Sequence, residues 1–252
     1  MKRAIVAAFT LVMACAMARS AFARDDSDAS ALVDKAIKAM GGQEQLSKIK
    51  AASWSTKGTI SFQSADNSTS GKATIQGVDH LRQDVSLSVN GMDIKVIILV
   101  SGGKGTFNFN GNPMDMDADA LANQKRLTYL TAIPMTLVAL KSKDFKLAPT
   151  ADATVGGKPA AGIQVTGPEG KTFKLYFDKD TGLPAQTVAT VMDFMGAPFT
   201  QTTTFTAYKD IAGIKVAMHV SSKRDGDKFI ESDISDFKVL DMVDPKTFTD
   251  AG

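Results

Sequence analysis

The alternation of hydrophobic and polar positions divides the chain into a helical beginning and a long β-rich remainder. From Ser30 to Ile49 the spacing is helical: Leu32, Ala36 and Met40 recur at every fourth position, Gly41-Gly42 interrupts, and Leu46 and Ile49 continue in a shorter second piece. After Ala51 the period becomes two. Between Ser53 and Gln63, Trp54, Ile60 and Phe62 fall on one side, and Asp66-Asn67-Ser68 with Gly71 predicts the turn that follows. From His80 to Val89, Leu81, Val85, Leu87 and Val89 share one face while His80, Arg82, Asp84, Ser86 and Ser88 share the other, the pattern of an antiparallel strand with one wetted side. Asn90-Gly91 comes next, a pair suited to a two-residue hairpin because both central positions need positive φ.

The strand leaving that turn, Met92 to Val100, is apolar on both faces over Val96-Ile97-Ile98-Leu99-Val100, so its second side needs a cover. Asp117 to Leu140 supplies one: Leu127, Leu130, Leu137 and Leu140 lie at helical spacings, and Pro134 predicts a break or kink that divides the element into two pieces. Lys104 to Phe109 reads as a short strand with Phe107 and Phe109 on one face, ended by Asn110-Gly111-Asn112-Pro113. Beyond Phe145 the chain is nearly all strand. Phe173, Leu175 and Phe177 alternate with Lys174 and Tyr176, Asp178-Lys179-Asp180-Thr181-Gly182 makes a turn, and Val188, Met192 and Phe194 carry the next strand. Further strands run from Phe199 to Ala207, Ile214 to Val220 and Phe229 to Ile234, and the change of phase from Ile230 and Ile234 to Phe237 and Val239 predicts a bulge or a strand end near Asp236. Ten or eleven strands in a meander, an N-terminal helix and a broken helix midway describe a mainly β fold with α elements. Such a sheet curls into an incomplete, half-open β-barrel, with the middle helix as its lid.

The first 23 residues follow a pattern of their own. Lys2 and Arg3 give a positive start, Ala4 to Ala18 is apolar or small throughout, and Arg19-Ser20-Ala21-Phe22-Ala23 ends in an A-x-A cleavage site. This is an export signal, leaving residues 24–252 as a single periplasmic domain. At about 15 residues the apolar run is short of spanning length. A second reading of the same segment is a lipobox: Val12-Met13-Ala14 precedes Cys15, and lipidation there would tether the protein to a membrane. Met13 is unusual in a lipobox, and the apolar run continues past Cys15 to the cleavage site.

The signal also accounts for the chain's basicity. The whole sequence has 29 basic and 27 acidic residues, but Lys2, Arg3 and Arg19 belong to the signal, so 26 basic side chains face 27 acidic ones after cleavage. Binding to nucleic acid or to an anionic membrane surface depends on clustered, uncompensated Lys and Arg, and none is expected. Membrane contact is expected to be transient unless Cys15 is lipidated. Since Cys15 is the one cysteine, the mature domain has no disulfide, thiolate nucleophile or Cys-based metal site and depends on its core.

Candidate chemistry is sparse. His80 and His219 are the two histidines, both on polar strand faces and neither with a companion at catalytic or metal-ligating spacing. No G-x-S-x-G elbow occurs, and Gly102-Gly103-Lys104-Gly105 does not extend to a phosphate-binding loop, so it reads as a hairpin turn. Asp115, Asp117 and Asp119 alternate, yet the glycine and terminal glutamate of a calcium loop are missing; they read as carboxylates at a helix N-terminus. Asp178 and Asp180 sit in a turn that explains them. No catalytic residue, metal site or cofactor is expected. A hydrolase using scattered carboxylates lacks an acid pair at useful spacing.

Apolar surface of a soft character stands out instead. Nine methionines follow the signal, among them Met92, Met114, Met116, Met135, Met192 and Met218 on inward strand positions or beside the lid. Methionine adapts to irregular apolar shapes, as in a site for acyl chains, though it also serves as ordinary core filling. The expected groove is lined by Trp54, Ile60, Phe62, Leu81, Val85, Leu87, Met92, Ile94, Val96, Phe107, Phe173, Leu175, Phe177, Met192, Ile214, Val216 and Met218, under a lid bearing Leu127, Leu130, Met135 and Leu137.

Several stretches resemble a known group. Leu32-Val33-Asp34-Lys35-Ala36-Ile37-Lys38-Ala39-Met40-Gly41-Gly42, then Leu46 and Ile49 leading into Lys57-Gly58-Thr59-Ile60, is similar to the N-terminal helix and first strand of outer-membrane lipoprotein-sorting proteins of the LolA/LolB-like superfamily. Tyr176-Phe177-Asp178-Lys179-Asp180-Thr181-Gly182-Leu183-Pro184 resembles a turn between that group's central strands, and Tyr208-Lys209-Asp210-Ile211-Ala212-Gly213-Ile214-Lys215-Val216 the following hairpin. Phe229 to Phe248, ending in Asp244-Pro245-Lys246-Thr247-Phe248, resembles its closing strand and tail. Ala217 departs from the group, where proline is frequent, and no arginine matches the one that locks the lid of the lipoprotein carriers, because Arg82 faces outward. The resemblance implies an incomplete barrel that holds acyl chains in transit across the periplasm, with a periplasmic or outer-membrane receptor as a further partner. The expected function is thus a non-enzymatic carrier or sensor for a lipid or lipoprotein acyl chain; the alternative is a structural or protein-interaction module on the same scaffold with its groove filled by its own side chains.

Overall fold

The computed structural model describes residues 26–62, 65–89 and 91–250, the side chains of residues 26, 27 and 62 excepted. The export signal, Cys15, Asn90 and the Phe62 side chain lie outside the described residues. The chain opens with α1 (Asp26–Ala39) and α2 (Gln43–Ser47), joined at Gly41-Gly42. Gly41 has φ +127°, and a Cβ there would lie 2.4 Å from the carbonyl oxygen of Gly213, so both conformation and close approach require glycine. Six strands follow: β1 (Ala51–Phe62), β2 (Ala65–Gln76), β3 (His80–Val89), β4 (Met92–Ser101), β5 (Lys104–Phe109) and β6 (Asn112–Asp115). Helix α3 (Ala118–Thr136) and a 3-10 turn (Val138–Lys141) lead to β7 (Lys146–Pro149), β8 (Ala153–Val155), β9 (Lys158–Thr166), β10 (Thr172–Asp178), β11 (Pro184–Met192) and β12 (Pro198–Thr206). A separate hairpin, β13 (Lys209–Ile211) and β14 (Ile214–Val216), precedes β15 (His219–Arg224), β16 (Asp227–Leu240) and a last 3-10 turn (Pro245–Phe248).

Every strand pairing is antiparallel, and the main sheet runs β6-β5-β4-β3-β2-β1-β16-β15-β12-β11-β10-β9-β7, with β8 paired to β9. Two meanders are therefore joined where the first long strand pairs with the last. The strands of β6 and β7 are the two free edges, and the segment between them carries α3. In a flat sheet those edges would stand about 58 Å apart at ~4.8 Å per strand, whereas a 19-residue helix spans about 28 Å. The sheet curls to make up the difference. Phe107 of β5 and Phe194 of the β11–β12 turn, seven to eight strand intervals apart along the sheet, bring their rings to a centroid distance of 6.1 Å. The sheet does not close into a barrel, and α3 crosses its concave side from edge to edge.

The main core lies on that concave side. Val33, Ala36 and Ile37 of α1, with Met40 just beyond its end, share one buried cluster with Phe173, Leu175 and Phe177 of β10, and with Tyr129, Leu130 and Ile133 of α3. A smaller cluster of Val155, Ala160 and Tyr176, with Val188 against it, lies apart from this core. On the outer face, Arg82 forks onto Asp84 and donates from Nη1 to the Asp250 carbonyl at 2.6 Å, while Phe248 tucks in edge-on to His80 at 5.5 Å. The outward residues of β3 thereby hold the C-terminal tail.

Several expected elements differ. Asp66, Asn67 and Ser68 form no turn but belong to β2, in register with β1 through Ser61, Ile60 and Thr59. Pro134 does not break α3: it sits in the last turn, and the helix continues to Thr136. The break comes at Leu137, fully buried with φ +59°, whose N–H still reaches the Ile133 carbonyl at 2.8 Å. The stretch from Ile214 to Val220 is two strands in different sheets, interrupted at Ala217-Met218. Sixteen strands are formed among the described residues, more than the ten or eleven expected, because short pieces such as β6, β8 and β13 carry no apolar alternation long enough to register. A bulge does lie at Asp236: Ser53 pairs with Lys238 and Ser55 with Ser235, so Asp236 (φ +52°) and Phe237 together oppose Trp54.

Candidate functional site

A cavity of about 240 Å³ lies between α3 and the concave face. Its roof is Leu127, Leu130, Pro134 and Met135, residues on the helix face that must look inward once both helix ends are tied to sheet edges. One wall is the pair Trp54 and Phe237, stacked at 6.3 Å with ring planes 23° apart. The bulge makes this pair, because the extra residue in β16 shifts the strand's phase and turns Phe237 to the side of Ile230 and Ile234, which also line the space. For scale, an engineered cavity of about 150 Å³ holds benzene, so the volume suits a segment of one hydrocarbon chain.

The floor is mixed. Thr187, Thr203 and Ser222 are cross-strand neighbours on β11, β12 and β15, with Thr203 Oγ1 and Ser222 Oγ 2.9 Å apart and Gln201 Nε2 donating to Thr203 at 3.2 Å. Phe205 and Val220, also directly paired, continue the floor as an apolar row. At the hairpin end stand Tyr208 and Lys215. The Tyr208 hydroxyl donates to the Pro184 carbonyl at 2.8 Å, and burial pushes its phenol well above the usual tyrosine range, so it is neutral. Lys215 Nζ lies 3.3 Å from Asp210 and stays partly exposed.

Helix α3 is fixed to the C-terminal strands by polar groups. Arg126 is 2% exposed; its Nε donates to the Thr190 carbonyl at 3.0 Å, Nη2 to the Thr172 carbonyl at 2.7 Å, and Nη1 to Tyr129 Oη at 2.6 Å and Glu169 Oε1 at 3.0 Å. The Tyr129 hydroxyl also donates to Glu169, and burial with this carboxylate contact holds the phenol far above its usual range. Asn123 exchanges two hydrogen bonds with the Met192 backbone, at 2.9 and 3.0 Å, as a neighbouring strand would.

Among the residues expected in the groove, Trp54, Leu81 and Val216 line the cavity, with Leu127, Leu130 and Met135 of the expected lid. Leu137 is buried in the core. Ile60, Val85, Leu87, Ile94, Val96 and Phe107 occupy inward register positions of the same sheet but lie outside the cavity, half-buried on an open apron, while Met92 is 64% exposed at its end. Phe173, Leu175 and Phe177 face inward but are packed in the core cluster with α1. Ile214 is buried where β14 meets α1, with Lys215 N bonded to the Met40 carbonyl, and Met218 is packed against the core. Met192 is out of phase with the inward residues Thr187, Ala189 and Val191, so its backbone, not its side chain, engages α3.

Strand parity could have found the floor, since Gln201 and Thr203 lie between Phe199 and Phe205 on one face. Arg126 carried no such signal. A charge between helix positions assigned to a lid reads as solvent-facing until the sheet behind it is known. Of the three alternating aspartates, Asp117 caps α3 by accepting from Ala120 N at 2.8 Å and Asp119 lies in its first turn, whereas Asp115 ends β6. His219 stands on the outer face, bonded to Asp233 at 2.8 Å and Glu231 at 3.0 Å. No group of three or more His, Cys, Asp or Glu among the described residues could hold a metal ion.

No protein-family model and no curated protein matches the chain. Solved structures do. A DUF1329 family protein from Desulfovibrio piger superposes with a TM-score of 0.54 at 13% identity, over 87% of this chain and 96% of that one. A LolA superfamily protein from Nitrosomonas europaea gives 0.53 at 11%, over 87% and 96%. A domain described as an outer membrane lipoprotein-sorting protein, from Vibrio parahaemolyticus, gives 0.50 at 12%, over 86% and 97%. The fold is LolA-like.

Proposed function

We propose that the protein is a non-catalytic carrier that holds one acyl chain of a lipid or lipoprotein between α3 and the concave face of the sheet. The observation that carries this reading is the cavity of about 240 Å³ roofed by Leu127, Leu130, Pro134 and Met135 and walled by Trp54 and Phe237. Burial of hydrocarbon there is driven by area removed from water, roughly 25 cal/mol per Å², and needs no catalytic group. The cavity favours a carrier over a module whose groove is filled by its own side chains. The open apron of Val85, Leu87, Ile94 and Val96 continues the same sheet face and offers room for the rest of a long chain. The proposed site of this activity is the periplasm, a reading supported by the export-signal pattern of residues 1–23 and by the likeness to a lipoprotein-sorting domain.

Trp54 is the chain's single tryptophan and lines the cavity, so its fluorescence reports occupancy directly. Organic extraction of the purified protein followed by mass spectrometry should recover lipid, and titration with a fatty acid or lysolipid should shift or quench Trp54 emission saturably. Absence of both extracted lipid and any saturable response removes the proposal.

A further inference from the structure

The cavity is more polar than a bare hydrocarbon chain requires. Beside the linked Thr203, Ser222 and Gln201, the side chains of Thr56, Gln83, Thr187 and Ser232 line the space and make no hydrogen bond among the described residues. Thr187 is only 5% exposed, yet its hydroxyl is not sealed from the cavity. A hydroxyl or amide taken from water without a partner is costly, and valine would give a strand the same shape without that cost. Charge, by contrast, is nearly absent from the lining. Its ionisable residues are Tyr208, held neutral by burial, and Lys215, partly exposed and paired with Asp210. An anionic head group drawn inside would meet only Lys215 at the hairpin end, whose charge is already shared with Asp210.

Resting on the carrier reading above, we infer that the cavity takes an acyl chain together with its uncharged linkage, an ester, amide or hydroxyl group hydrogen-bonded to Thr187 and the neighbouring Thr203–Ser222 pair. That chemistry is shared by glycerolipids and by N-acylated peptides. Four probes with the same ten-carbon chain separate the cases by Trp54 titration: decane, decanoate, monodecanoylglycerol and N-decanoylglycinamide. Each hydrogen bond to a neutral group gives about threefold to tenfold in affinity. At least one of the two neutral polar probes is expected to bind roughly tenfold or more tightly than decane and decanoate, and the better of the two identifies an ester-linked or an amide-linked source. Thr187→Val, near-isosteric at an unpartnered hydroxyl, should lower that affinity about threefold relative to decane; Thr203→Val with Ser222→Ala should abolish the preference. Equal binding of all four probes, or a preference that survives both variants, overturns the inference and leaves the carrier reading intact. Decanoate binding as tightly as monodecanoylglycerol, with loss on Lys215→Gln, puts the head group at the mouth and overturns it as well. No saturable response to any probe defeats the carrier reading itself.

Discussion

Along its side facing β10 and β11, α3 is held by directional bonds: Arg126 to two backbone carbonyls, Tyr129 and Glu169, and Asn123 to both backbone groups of Met192. Toward β4 and β5 the entering loop is tied by Met116 N to the Gly105 carbonyl, and the helix itself is in apolar contact, with Leu121 close against Gly105. Directional bonds weaken steeply when either partner shifts, whereas apolar contacts are non-directional and tolerate sliding. The helix is thus expected to move with the C-terminal strands, and the cavity to open along the β4–β5 seam.

The comparison breaks most severely at Arg126. Arg126→Met leaves Glu169, Tyr129 and two carbonyls without their cation, and removal of one member of a buried ion pair costs about 3–5 kcal/mol; the low end is expected because Glu169 is 29% exposed. Urea denaturation checks this, and a loss under about 1 kcal/mol means the polar flank is not the anchor. Gly105→Val acts on the other flank. Even a Cβ at Gly105 would stand 2.4 Å from Met116 Sδ and 3.0 Å from Leu121 Cδ1, so the seam should be wedged at a cost of about 2 kcal/mol, with faster ligand entry in stopped-flow Trp54 fluorescence. Unchanged entry kinetics would place the opening elsewhere.

Asn123→Ala removes the reciprocal pair with Met192 and should cost about 1 kcal/mol, seen as a lower urea midpoint together with faster hydrogen exchange at the Met192 amide. The smallest effect is expected at His219, remote from both flanks. Its hydrogen bond to Asp233, and then that to Glu231, raise its pKa above 6.5, so the folded state binds the proton more tightly than the unfolded chain. The resulting stability is fully present below about pH 6.5 and is lost as pH rises through the raised folded value. His219→Gln should flatten that slope in pH-dependent melts while leaving Trp54 titrations unchanged; because the group is partly solvated, the difference is a fraction of a kcal/mol.

Period and turn chemistry were enough to read the two-piece N-terminal helix, β3, β4 and β5, the Asp178 turn and the Asp236 bulge, since each depends on φ/ψ preferences and side-chain alternation within a few residues. Alternation also told which side of β10 is buried. It did not tell what covers that side: Phe173, Leu175 and Phe177 lie with α1 and Tyr129, while Val85, Leu87, Ile94 and Val96 share the same sheet face on the open apron. In β12 and β15 the inward residues Gln201, Thr203 and Ser222 are polar, so apolar alternation carries no sign of the side they face.

Taken alone, the order of residues determined local geometry: where the backbone turns, which strands alternate, where a helix is capped by Asp117, and that no cysteine follows Cys15 to staple the fold. Only the tertiary structure decided that β1 pairs with β16, that the free edges β6 and β7 are bridged by α3, and that Arg126 is buried while Thr187 faces a cavity. The reason is the range of the forces involved. Propensity and alternation act over a few residues, whereas a cavity is the space left over when distant strands curl to the span of one helix, and no local pattern contains that distance.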